Sequence, residues 1–296
     1  MNTCQTALRG RMTACFSIVF AVLAFSLLGA GAVAAEPAAK KLNVLFLAVD
    51  DLRPELGCYG HPLAKSPNID RLASQGVLFR RAYCQQSICS PSRASLMTGL
   101  RPDSLGVTEN VTYFRDLKPD VVTLPQHFCQ HGYETVFVGK IYHGRMIDKE
   151  KSWSGNPTFG PRYLPRPLHG YQLPASRATI ERNRKEVIAK YGPEIARSGL
   201  IQGPVTECAD LPDNAYQDGV TADAAVLTLR ELKDKPFFFG VGFYKPHLPF
   251  IAPKKYWDLY DPAELDLASN PFKPKSAVSI GLHASFELRT RHGVPK

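Results

Sequence analysis

Residues 42–49 (LNVLFLAV) are an apolar run of strand length that stops at two carboxylates, Asp50 and Asp51. A strand with one wet face alternates apolar and polar residues. This run does not alternate, so it is expected to be buried on both faces, as in a parallel sheet. Two more short apolar segments end in the same manner. Residues 134–138 (ETVFV) deliver Gly139-Lys140, and residues 236–242 (PFFFGVG) lead into Phe243-Tyr244-Lys245-Pro246-His247. Helical patterns fall between them. Strand–helix–strand alternation predicts an α/β fold with a mainly parallel sheet flanked by helices. Polar residues just past the strand ends then lie at the rim where such sheets bind ligands.

The intervening segments carry start and stop signals. Ser66 as cap, Pro67 at the first position and Gly76 at the end predict a helix over 67–76. Residues 77–82 read as a second strand. Pro91 suits a first turn, so 92–98 is expected to be helical. Thr123 caps a helix over 123–131, with Pro125 in its first turn. A charged helix is expected over 179–190. Another over 219–233 would place Val220, Ala224, Leu227 and Leu232 on one side. Residues 150–178 are rich in Pro, Gly and aromatics and read as a long surface excursion. The last twenty residues, from Ala277, show no cap and no final strand, so the chain reads as cut rather than finished.

The first residues have another logic. Arg9 and Arg11 precede an apolar stretch over 14–30, and Ala32-Val33-Ala34 follows as a small-x-small pattern. That order reads as a secretory signal peptide over residues 1–35, not a retained membrane anchor, because a span needs about 20 apolar residues. A secreted or periplasmic protein with no stable membrane anchor is the expectation, with its domain over 40–296. The full chain has 36 basic and 27 acidic side chains, a formal charge of +9. Without the leader's two arginines the balance is 34 against 27, or +7. A basic surface favours anionic partners. Export argues against nucleic acid, whereas a sulfated or otherwise anionic glycan agrees with both charge and location. Five cysteines follow the leader: Cys58, Cys84, Cys89, Cys129 and Cys208. An odd count in an exported chain leaves at least one thiol unpaired, and Cys89 is the expected one.

The neighbours of Cys89 single it out. In Cys89-Ser90-Pro91-Ser92-Arg93 a proline fixes the backbone between a thiol and a cation, and a helix start adds partial positive charge. Such surroundings favour an anionic or oxidised position, although a buried cysteine can equally be a small hydrophobe. Asp50 and Asp51 suit a divalent cation, or a solvated turn. Lys140 and His143 are three apart, so a helical turn would aim both into one cleft. His247 stands at a third strand end.

Over about 42–247 the chain resembles the type I sulfatases of the alkaline phosphatase superfamily, and is most similar to the iduronate-2-sulfatases. The resemblance is carried by Val49-Asp50-Asp51-Leu52-Arg53-Pro54, Gly57-Cys58-Tyr59-Gly60, Ser66-Pro67-Asn68-Ile69-Asp70, and Cys89-Ser90-Pro91-Ser92-Arg93. Thr98-Gly99, Arg101-Pro102, Val138-Gly139-Lys140 and the segment from Lys245 to Phe250 extend it.

The resemblance implies that Cys89 is converted to formylglycine by a formylglycine-generating enzyme. The hydrated aldehyde then attacks the sulfur of a sulfate ester. It also implies Ca2+ held by Asp50, Asp51 and residue 89, with Arg93 stabilising the ionised hydrate. Lys140 and His247 would contact sulfate oxygens, His143 would move a proton at residue 89, and His247 would protonate the leaving alcohol. The implied substrate is a sulfated carbohydrate of the glycosaminoglycan type. The chain departs from the family pattern after His247, where no Asp-His or Asp-Asn pair supplies the remaining metal ligands. On that count the sulfatase domain is an incomplete, N-terminal catalytic part. Two rival readings follow: a truncated, inactive glycan-binding protein, and a metal-dependent phosphohydrolase of the same superfamily. The second uses Ser or Thr where Cys89 stands.

Overall fold

The structure is a computed structural model and describes residues 41–144, 146–154, 170–194, 201–267, 269–278, 286–289, 291 and 294. The expected leader, residues 155–169 of the expected 150–178 excursion and much of the last twenty residues lie outside the described residues; Trp153 and Tyr171 of that excursion are buried, not at the surface as expected. Ten main elements order the rest. They are β1 (Val44–Val49), α1 (Pro67–Gln75), α2 (Cys89–Thr98), α3 (Leu124–Gln130) and β2 (Glu134–Gly139), then α4 (Pro174–Tyr191), β3 (Thr206–Ala209), α5 (Gln217–Leu232), β4 (Phe237–Phe243) and β5 (Phe250–Pro253).

β1, β4 and β2 form a parallel sheet in that order, with Val44 opposite Phe238 and Glu134 opposite Phe237. β3 and β5 form a second parallel pair. The expected α/β architecture is therefore present. The central strand is the last of the three in sequence, and it is the one buried on both faces. Alternate residues of β4 feed opposite layers, as strand geometry requires. Phe238 packs with Phe137, Met97, Ile141 and Trp153 beneath α2 and α3. Phe237, Phe239 and Val241 pack with Ala224, Ala225 and Leu232 of α5. Complete burial of one such phenylalanine contributes about 1.5–3 kcal/mol.

β1 departs from its expected burial on both faces. Val44, Phe46 and Ala48 pack inward, but Leu45 is 44% and Leu47 51% exposed. The reason is position: β1 lies at the sheet edge, and α5 packs on β2 and β4. Three further expectations are corrected. Residues 77–82 are not a strand: they pair with nothing among the described residues, and Val77 and Phe79 are exposed. Leu227 lies outside the buried face of α5, where Thr221, Ala225 and Thr228 accompany Ala224 and Leu232. Ser66 precedes α1 as expected, yet its hydroxyl caps no helix N–H. It accepts from Gly57 N and donates to Asp70 instead.

Other expectations hold. Thr123 caps α3 through a reciprocal capping box with Gln126. Helix α4 begins at Pro174, ahead of its expected start. Helix α2 begins at Cys89 rather than Ser92, which places the thiol in the first turn. The five cysteines of the described residues are all free thiols.

Candidate active site

Backbone hydrogen bonds set the ends of the three strands side by side. Asp50 N donates to Phe243 O at 3.0 Å, and Lys140 N donates to Gly242 O at 2.8 Å. The approach of β2 to β4 requires the absence of side chains. A Cβ on Gly139, whose φ is +73°, would meet Gly242 O at 2.0 Å, and one on Gly242 would meet Lys140 O at 2.0 Å. Asp51 takes a left-handed backbone, φ 55°, which Asp tolerates better than most residues. That turn separates the two carboxylates: Asp50 is buried and Asp51 exposed.

Helix α2 brings its N-terminus to these tips. Arg93, one turn after Cys89, lies on the same face as the thiol. The residue is 8% exposed, and its guanidinium makes three hydrogen bonds. It donates to the carbonyls of Lys140 and Ile141 and to Asp50 Oδ1, so it ties α2 to the ends of β1 and β2. Arg93 therefore reaches residue 89 through Asp50. Lys140 Nζ pairs with the other oxygen of Asp50 and lies 3.6 Å from Cys89 Sγ. It also sits 5.5 Å from the centre of the Tyr244 ring. His143 hydrogen-bonds the thiol through its side chain, while its Nδ1 is buried without a partner. His247 hydrogen-bonds the same thiol, and its Nε2 is 4.0 Å from Asp51 Oδ2 and 3.5 Å from Glu287 Oε1.

The charges follow from these contacts. Burial alone would raise the Asp50 carboxyl, but hydrogen bonds from Lys140 and Arg93 hold it below its ordinary range. Hydrogen bonding to His143, then to His247, lowers the Cys89 thiol to about 6, against opposition from burial and Asp50. The bond to Cys89 raises His247 despite its burial. Position 89 thus sits in a field that stabilises negative charge.

The structure brings together Asp50, Cys89, Arg93, Lys140, His143 and His247 as the sequence suggested. A ligand atom from each of Asp50, Cys89 and His247 lies within 4.8 Å of the others, the one group among the described residues whose spacing could hold a metal ion. Asp51, expected in that cluster, stands at its edge beside His247. Two adjacent carboxylates are hard oxygen donors and suit calcium in kind. Calcium takes six to eight oxygens, more than these two residues supply.

Two polar residues escaped sequence reasoning. Asn110 Oδ1 accepts from Ser90 N at 2.9 Å and fixes the start of α2. It lies in a loop with no periodic signal. Asp218, in the first turn of α5, accepts from the N–H groups of Tyr244 and Lys245. An acid there reads simply as a partner for the helix dipole.

The family model for sulfatases matches residues 42–272. The mouse (Mus musculus) iduronate 2-sulfatase is 36% identical over 286 residues, covering 92% of this chain and 48% of that protein. The human (Homo sapiens) iduronate 2-sulfatase is 35% identical over 255 residues, covering 86% and 44%. The crystal structure of a phosphonate monoester hydrolase of Agrobacterium radiobacter aligns with a TM-score of 0.48 at 28% identity, over 77% of this chain and 46% of that one. The chain spans about half the length of the curated relatives it matches.

Proposed function

The chain belongs to the sulfatase family, and on that premise we propose that it hydrolyses sulfate esters on a sulfated sugar, with residue 89 as the reacting position. The observation that carries this reading is the convergence of β1, β2, β4 and the start of α2 on one thiol ringed by Lys140, His143 and His247. A field that lowers a thiol to about 6 favours any anion held there, and a sulfate ester is an anion.

Cys89 Sγ stands in for the oxygen of formylglycine, which when present supplies the nucleophile that attacks sulfur. A bound divalent cation, held by Asp50, Asp51 and residue 89, would neutralise sulfate oxygens as a Lewis acid. The chain's own groups do the rest. Lys140 compensates charge that develops on sulfate oxygens, an effect worth about 10²–10³-fold in rate for one well-placed donor. The N-terminus of α2 adds backbone dipoles at the same point. Arg93 and Lys140 keep Asp50 ionised. His143 is placed to take or return a proton at residue 89. His247, raised above its ordinary range, is placed to give one to the leaving alcohol.

The names of the relatives point to an iduronate-2-sulfate-like substrate of the glycosaminoglycan type, and the net positive charge that remains without the leader suits such a polyanion. Export through the leader to a secreted or periplasmic location, and maturation by a formylglycine-generating enzyme, complete the proposal. No helix of the described residues is long and apolar enough to cross a membrane. The test is mass spectrometry of the Cys89 peptide from protein made in a host that has the maturation enzyme. Formylglycine at residue 89 is expected. A peptide that keeps its thiol throughout would remove the mechanism.

A further inference from the structure

The loop that carries His247 is held by two groups that the catalytic scheme leaves unused. Beyond Phe243 the chain leaves the sheet, and the next two backbone N–H groups would lack partners. Asp218 supplies them from below. Its Oδ1 accepts from Tyr244 N at 2.9 Å, and its Oδ2 accepts from Lys245 N at 2.8 Å. Lys245 does not point to Cys89. Its Nζ turns back along its own loop and donates to His247 O at 2.8 Å and to Pro249 O at 2.7 Å. Burial pushes this amine down to about 8, against the pull of Asp218.

Leu248 O, the carbonyl between those two, meets the imidazole, 2.7 Å from His247 Nδ1. A carbonyl only accepts, so Nδ1 carries the proton. Nε2 is then the nitrogen that remains for Cys89, between the carboxylates of Asp51 and Glu287.

We propose that Asp218 and Lys245 are a positioning pair that fixes the tautomer and ring orientation of His247 at residue 89. Asp218 anchors the exit of the loop from β4, and Lys245 ties the carbonyls on either side of Leu248, holding Leu248 O against the ring. The role given to the pair in turnover rests on the sulfatase reading; the tautomer itself does not.

The test uses the full chain with 15N-labelled histidine. Long-range 15N–1H imidazole spectra are recorded at a pH where His247 is neutral, and the His247→Gln variant identifies its signal. Wild-type protein is expected to show His247 protonated at Nδ1. Lys245→Met and Asp218→Ala are expected to give mixed tautomers. With a sulfated disaccharide, their kcat is expected to fall about 10- to 100-fold, the cost of a small misplacement, with KM within about twofold. Folded variants that keep the wild-type tautomer and kcat overturn the proposal. If Asp218→Ala does not fold, Lys245→Met decides. If neither folds, the pair is a stability element and the proposal falls. A wild-type protein inactive on sulfate esters would refute the sulfatase reading and leave the spectroscopic result standing.

Discussion

Around Cys89, each side chain has two duties that mutation can separate. Lys140 faces both the thiol and the buried Asp50. Lys140→Met therefore leaves Asp50 with Arg93 alone. Removing one partner of a buried ion pair costs about 3–5 kcal/mol, and loss of the donor lowers kcat by about 10²–10³-fold. Chemical denaturation and sulfate release should show both losses. Retention of either property would mean that Lys140 lacks that duty.

Asp148 offers a cleaner case, away from the reacting thiol. Burial alone would raise its carboxyl, but hydrogen bonds from Arg115 and Ser152 hold it below the ordinary range. A depressed carboxyl contributes stability that is present above its unfolded pKa, about 3.9, and lost as pH falls through the lower folded value. Asp148→Asn should therefore destabilise the protein at neutral pH, and the deficit should shrink on acidification below about pH 4. Urea midpoints measured across that range check the sign. At this scale the meeting of Asp50, Lys140 and His247 was legible, because each follows an apolar strand; the start of α2 at Cys89 was not, since the helix was expected from Ser92. Asp218 was not, since the N–H groups that donate to it lie 26 and 27 residues away.

Among the elements, those with explicit start signals were the readable ones. Thr123 with Pro125 predicts α3, and the structure adds the capping box with Gln126 and a buried contact of Thr123 Oγ1 with Ser152 Oγ. Thr123→Ala should therefore cost more than the usual cap, roughly 2 kcal/mol at the upper end of the range. A melt of the variant that matches wild type would show the box to be dispensable. Residues 77–82 misled for a stated reason. Their apolar residues fit a strand, but a strand exists only with a partner, and a single segment does not reveal one. The edge position of β1 was hidden in the same way: Leu45 and Leu47 read as core residues until their neighbours are known.

For the whole molecule, the strand order assembles the candidate site. β4 comes last of the three strands and enters between the first two, so Asp50, Lys140 and His247 meet only when the sheet is complete. Site and fold are then one cooperative event, and a bound cation should stabilise both. Calcium at about 100 times its dissociation constant would add about 2.7 kcal/mol. Thermal melts with calcium and with a chelator should differ in that direction; identical melts at millimolar calcium would argue against Asp50 and Asp51 as ligands.

Most directly, sulfate release from a sulfated disaccharide should be followed for protein with converted residue 89 beside the Cys89→Ala variant. Turnover by the former and none by the latter is the predicted result. Equal release by both, or hydrolysis of phosphate esters in preference to sulfate esters, would contradict a reaction centred on residue 89.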